Sequence, residues 1–202
     1  GGFTIEAMNA GTNGVSGLLS FTTGTTSKGG SGYIQIASGA ATSGDGGSIS
    51  VGVGGGSSAS GGRIMVTAGD SSGATGGSIE MATGGGTKHS SGMFTIRTAA
   101  GGGSAPKGVS GALFLQTGGA TAGASGAVLV ETGDSVGGAG GSLSMSVGSG
   151  DTGAGGRVVV HAGISTSATG GSIDMVTGMG SSSSSGMFTI RTAAGGGSAP
   201  KG

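Results

Sequence analysis

The chain has 202 residues, of which 56 are Gly, 33% are hydrophobic and 3% aromatic, with no Trp and no Cys. Large side chains are too few for an ordinary globular core, and zero Cys excludes a disulfide framework and any Cys-based metal site. Lys plus Arg and Asp plus Glu both number 8, so the formal net charge is zero and the electrostatic footprint of a nucleic-acid binder or of a protein drawn to an anionic membrane is missing.

Two classes survive: a Gly/Ser-rich polymer without order, or a tandem repeat whose thin interior suits small residues. No secretory leader is read in the opening, and no apolar run approaches the roughly 18 residues of a membrane span. The opening GGFTIEAMNAGTNGVSG starts in mid-pattern, so the expectation is a slice of a longer array. No membrane insertion and no nucleic-acid partner are expected.

From Gly17 onward one motif recurs: Gly, a variable residue, apolar–x–apolar, x, a small residue, then Gly. Its first Gly falls at Gly17, Gly32, Gly47, Gly62, Gly77 and Gly92, in steps of 15, and again at Gly111, Gly126, Gly141, Gly156, Gly171 and Gly186. Taking that Gly as column 0, column 2 runs from Leu19, Ile34 and Ile49 to Ile173 and Phe188. Column 4 runs from Phe21, Ile36 and Val51 to Met175 and Ile190. No polar residue breaks either column, a register that a disordered linker would not keep. Column 7 is Gly except at Ala99 and Ala193.

A longer period lies over the short one. Gly17 to Gly111 and Gly92 to Gly186 are both 94 residues, and 91–108 and 185–202 read identically as SGMFTIRTAAGGGSAPKG. The organisation expected is the last unit of one super-repeat at 1–16, a six-unit super-repeat at 17–110 and a second at 111–202, truncated at its end. The sixth unit is longer and holds both prolines, Pro106 and Pro200. Proline cannot donate to a ladder, so a surface loop is expected there.

Alternating apolar residues at columns 2 and 4 carry strand periodicity, and Ile, Val and Phe are good strand formers. The fold expected is therefore all-β: a single-chain parallel β-solenoid (β-helix) of 15-residue coils, with two strands per coil. Columns 2 and 4 would point inward and stack about 4.8 Å apart. Columns 0 and 7 read as Gly corners, with positive φ or crowded backbone as the reason for glycine. Column 10 is Ser or Thr in eight of ten 15-residue units, Val136 and Asp151 being the exceptions. That polar half reads as a second, weaker strand.

Little in the pattern points to chemistry. His89 (column 12) and His161 (column 5) lie in different units, each without a matching His in the other super-repeat. Asp45, Asp70, Asp134 and Asp151 form no ladder, so calcium held along the stack is not expected. No Walker signature or other cofactor motif is present, and no N-x-Ser/Thr sequon; O-linked glycans on the polar halves remain open. Neither a cofactor nor an enzymatic activity is expected.

Two outward patterns remain. Arg63, Glu80 and Arg97 step one unit over and two residues along, as do Arg157, Asp174 and Arg191. On a sheet that is a diagonal of about 7–8 Å, a candidate charge ladder. Leu18 and Tyr33 at column 1, with Met65, Phe114, Leu129 and Val159 at column 3, are apolar residues on the outward face. Such a stripe marks a partner surface, here a candidate assembly face for laterally packed copies of the chain itself.

The string SGMFTIRTAAGGGSAPKGVSGALFLQTG, with GGSI-x-M-x-TG units beside it, resembles Gly/Ser-rich tandem repeats in very large surface proteins of unicellular algae. The resemblance covers the whole chain and implies an extracellular or cell-wall setting, with no catalytic residues to carry over. The function expected is a structural repeat protein forming an extracellular fibre or cell-surface filament. The alternative is an ice-binding or adhesive β-solenoid, for which column 10 is the one candidate hydroxyl ladder; the outward columns are too mixed for a flat Thr array.

Overall fold

A computed structural model of the chain describes residues 2–12, 14–102 and 108–194. Spatially the chain divides into two units, Gly1–Arg97 and Thr98–Gly202. Both are built from the same 15-residue element. Columns 0–7 run without a bend, and the backbone then bends at columns 10–12. From Gly17 on, the bends of the first unit are at 27–29, 42–44, 57–59, 72–74 and 87–89; those of the second are at 121–123, 136–138, 151–153, 166–168 and 181–183. Ser and Thr at column 10 open most of these bends, as expected of residues whose hydroxyls compete with backbone pairing.

Most returns close on themselves. In the first unit Gly62 N–H donates to Gly54 C=O at 3.1 Å, Gly77 to Gly69 at 2.9 Å and Gly92 to Gly84 at 3.0 Å. In the second, Gly156 donates to Gly148 at 3.2 Å, Gly171 to Gly163 at 3.0 Å and Gly186 to Gly178 at 2.9 Å. Every one of these bonds runs from column 0 of a segment to column 7 of the segment before it.

The β-solenoid is therefore not what forms. Among the described residues there is no β-strand and no helix, and no backbone hydrogen bond joins residues a full repeat apart. The physical reason lies in the return. Closing eight residues with a Gly/Ser bend costs no more loop entropy than closing fifteen, and its turn residues favour it locally. Once closed, it sets column 0 against column 6 of the preceding segment. Six residues of unbent chain put columns 0 and 6 up to about 20 Å apart. Column 0 then cannot also stack on the previous column 0 about 4.8 Å away, as a parallel ladder demands. The polar half is a bend and not a second strand.

The expected interior is likewise absent. No described residue of any type is buried; Ile79 is 50% and Met81 69% exposed. The chain exposes 19816 Å², whereas a compact chain of its 18.1 kDa mass exposes about 8,000 Å² and an unfolded one about 26,000 Å².

The Gly corners need correcting too. Positive φ occurs at Gly29 (101°) and Gly137 (79°), both inside bends, and at no described column-0 or column-7 glycine. Column 0 is crowded in some units and not in others: a Cβ at Gly47 would stand 2.9 Å from Ser38 Cβ and one at Gly17 3.0 Å from Ala7 Cβ, whereas at Gly32 and Gly92 the nearest atom would be at an ordinary 3.5 Å. The same neighbour, column 6 of the preceding segment, recurs at each described column-0 glycine. Column 7 shows neither reason; from Gly24 to Gly178 no atom lies within 4 Å of the missing Cβ. The prolines expected in a surface loop, Pro106 and Pro200, lie outside the described residues.

Candidate functional site

The return is the one part of the element whose polar groups are organised, so any site would be built on it. Its tightness comes from column 9. There, Gly56, Gly86, Gly150 and Gly180 pass so close to the far side of the loop that a side chain would overlap backbone. A Cβ at Gly150 would stand 2.7 Å from Gly153 O, and one at Gly180 2.6 Å from Ser184 O; at Gly86 it would strike the His89 carbonyl. Between these units column 9 is Ser instead. Ser71 Oγ accepts from Ala74 N–H at 3.0 Å, and Ser165 Oγ from Ala168 N–H at 2.9 Å. Sequence reasoning missed this Gly–Ser–Gly alternation in both super-repeats (Gly56, Ser71, Gly86; Gly150, Ser165, Gly180), although it is legible in the residues.

A third kind of closure uses column 6. Ser38 Oγ donates to Gly47 C=O at 2.8 Å, and Thr132 Oγ1 to Gly141 C=O at 3.3 Å. Ser38 and Thr132 are 94 residues apart, as are Ser71 and Ser165, and Gly62 and Gly156. The super-repeat read in the sequence is thus repeated in the hydrogen bonds. In the longer sixth unit, Gly108 N–H donates to Gly102 C=O at 3.0 Å, and a Cβ on Gly108 would meet Gly102 N at 2.8 Å.

The residues singled out from sequence distribute as follows. Of the charge ladder, Asp174 makes a hydrogen bond inside its own segment, accepting from Ser172 Oγ at 3.2 Å. The side chains of Arg63, Glu80, Arg97, Arg157 and Arg191 form none among the described residues. The diagonal that would have joined them needed stacked coils. Of the apolar stripe, Leu18 is 88%, Phe114 85% and Val159 53% exposed, with Tyr33, Met65 and Leu129 also exposed. Column 2 beside them is less exposed in most segments: Leu19 is 49% and Leu113 55% exposed. Column 4 shows no such difference: Val66 is 69% exposed beside Met65 at 68%, and Val160 62% beside Val159 at 53%.

His89 lies in the bend at 87–89 and His161 in an unbent segment. Asp151 Oδ1 accepts from Thr152 N–H at 2.7 Å, a local turn contact. Among the described residues no three His, Asp or Glu side chains gather to hold a metal ion, there is no cavity, and no helix is long and apolar enough to cross a membrane. The column-10 hydroxyls sit in bends. No protein-family model, no curated protein and no solved structure matches this chain.

Proposed function

We propose that this chain is a structural repeat protein of an extracellular or cell-surface filament or matrix, acting through association with further copies of itself and without catalysis. The observation that supports this reading is the recurrence of the same closures at the same columns 94 residues apart: Gly62, Gly77 and Gly92 against Gly156, Gly171 and Gly186. Repetition at that level serves a material made of equivalent contacts. It gives a catalyst nothing, because a reaction needs one place where unlike groups converge. An apolar surface left open along the repeat is the second support, since contiguous exposed apolar residues mark association.

Two measurements test the reading. Electron microscopy of the purified chain over a range of concentrations should show filaments or regular aggregates. Antibody labelling of intact, unpermeabilised cells should reach the protein. A chain that stays monomeric at every concentration, or labelling that appears only after permeabilisation, overturns it.

A further inference from the structure

Length is stored in the returns. Columns 0–7 run without a bend and have little length to give. A closed return instead folds eight residues back until its ends are one hydrogen bond apart. Gly62 to Gly54, Gly77 to Gly69 and Gly92 to Gly84 do so in the first unit, and Gly156 to Gly148, Gly171 to Gly163 and Gly186 to Gly178 in the second, all at 2.9–3.2 Å. Drawn out, the same eight residues span about 28 Å, at about 3.5 Å each. Opening one return therefore adds on the order of 20 Å.

Little holds a return shut beyond that bond. No described residue is buried, and among the described residues no backbone hydrogen bond ties one return to the next. Exposed hydrogen bonds without buried contacts mark the segments that open most readily, and here each can open without its neighbours. Closing is fast as well, since a loop of about ten residues closes in about 10–100 ns. We infer that the returns are extensible elements: tension opens them one by one, each adding on the order of 20 Å, and release closes them again. This rests on the filament reading above, which supplies the tension, and names what such a filament does under it.

Single-molecule stretching of the full chain, held at its two ends, decides it. Gly56→Val, Gly86→Val, Gly150→Val and Gly180→Val together drive side chains into the backbone of four returns and keep them from closing. Gly24→Val, Gly52→Val, Gly118→Val and Gly119→Val form the control, with no atom within 4 Å of any added Cβ and no positive φ. The parent trace should rise smoothly, with stretching and relaxation superimposed, because closure is far faster than pulling. At low tension the first variant should be longer than the parent, by up to on the order of 20 Å per disabled return. At high tension the two lengths should converge, because both chains have 202 residues. The control should follow the parent throughout. Discrete rupture peaks with hysteresis would mean that the returns open as one body, and they overturn the inference. So does a first variant that matches the parent at every tension, or a control that lengthens as much as it does. Because single chains are stretched, a parent that extends as expected yet never assembles sinks the filament reading alone.

Discussion

The returns and the apolar segments of this chain have opposite fates. Columns 6 to 14, with the next column 0, hold nearly every hydrogen bond among the described residues, whether from backbone (Gly77 to Gly69) or hydroxyl (Ser38 to Gly47). Within columns 1–5 the one such bond is Ser172 to Asp174. The returns order themselves because their partners are eight or nine residues away and their Gly, Ser and Thr residues already favour bends. The segments have good strand formers but no backbone partner, and a lone strand does not stabilise itself in water. Local chemistry thus completes half of the repeat and leaves the other half without a backbone partner among the described residues.

The strongest way to break this contrast is at column 9. Gly150→Val with Gly180→Val drives a Cβ into backbone oxygens that now lie at 2.7 and 2.6 Å from its position. Backbone must move, at a cost of about 1–3 kcal/mol per site. The Gly156 and Gly186 amides should lose their exchange protection, while Gly171, whose return has Ser165 at column 9, keeps it. Equal loss at all three amides would mean that the returns are one cooperative body and not independent closures.

A smaller effect is expected from Gly47→Ala. Its Cβ would lie 2.9 Å from Ser38 Cβ, so Ser38 must shift and its 2.8 Å bond to the Gly47 carbonyl lengthens. The expected cost is about 1 kcal/mol. Gly92→Ala, whose Cβ would meet Thr83 at an ordinary 3.5 Å, serves as the control. Side-chain NMR of Ser38 and Thr83 reads both; matched perturbations would show that crowding at column 0 is not what holds it at glycine.

What the sequence disclosed divides along the same line. The 15- and 94-residue periods were readable from Gly17, Gly92, Gly111 and Gly186, and both reappear in the bends and hydrogen bonds. The crowding at column 0 was one of two reasons anticipated for its glycine. The strand pattern at Ile79 and Met81 was misleading in one respect. Alternation says that one side of a segment wants cover, and it says nothing about whether that cover is the previous unit or another molecule. Fifteen residues with two Gly columns suit a closed return as well as a coil, and returns with Gly or with Ser at column 9 both close. The stripe of Tyr33, Met65 and Val159 was inferred from an inside and an outside. With both sides of the segment exposed, that distinction no longer singles it out.

The finest test sits on the hydroxyl that stands in for glycine. Ser71 and Ser165 occupy column 9 of equivalent units, and each accepts from the amide three residues on, at 3.0 and 2.9 Å. Replacing both with Ala removes the acceptor but adds no bulk, so the loops keep their shape and the Ala74 and Ala168 amides turn to water. Because both sites are exposed, the loss should fall at the low end of a hydrogen bond's net worth, about 0.5 kcal/mol each. Temperature coefficients of the two amide protons should rise together, with the Gly77 and Gly171 bonds barely changed. A rise at one site alone would show that the 94-residue repeat matches in sequence and not in energy. Loss of the Gly77 and Gly171 bonds as well would make the hydroxyl, and not the bend, the element that closes the Ser-type return.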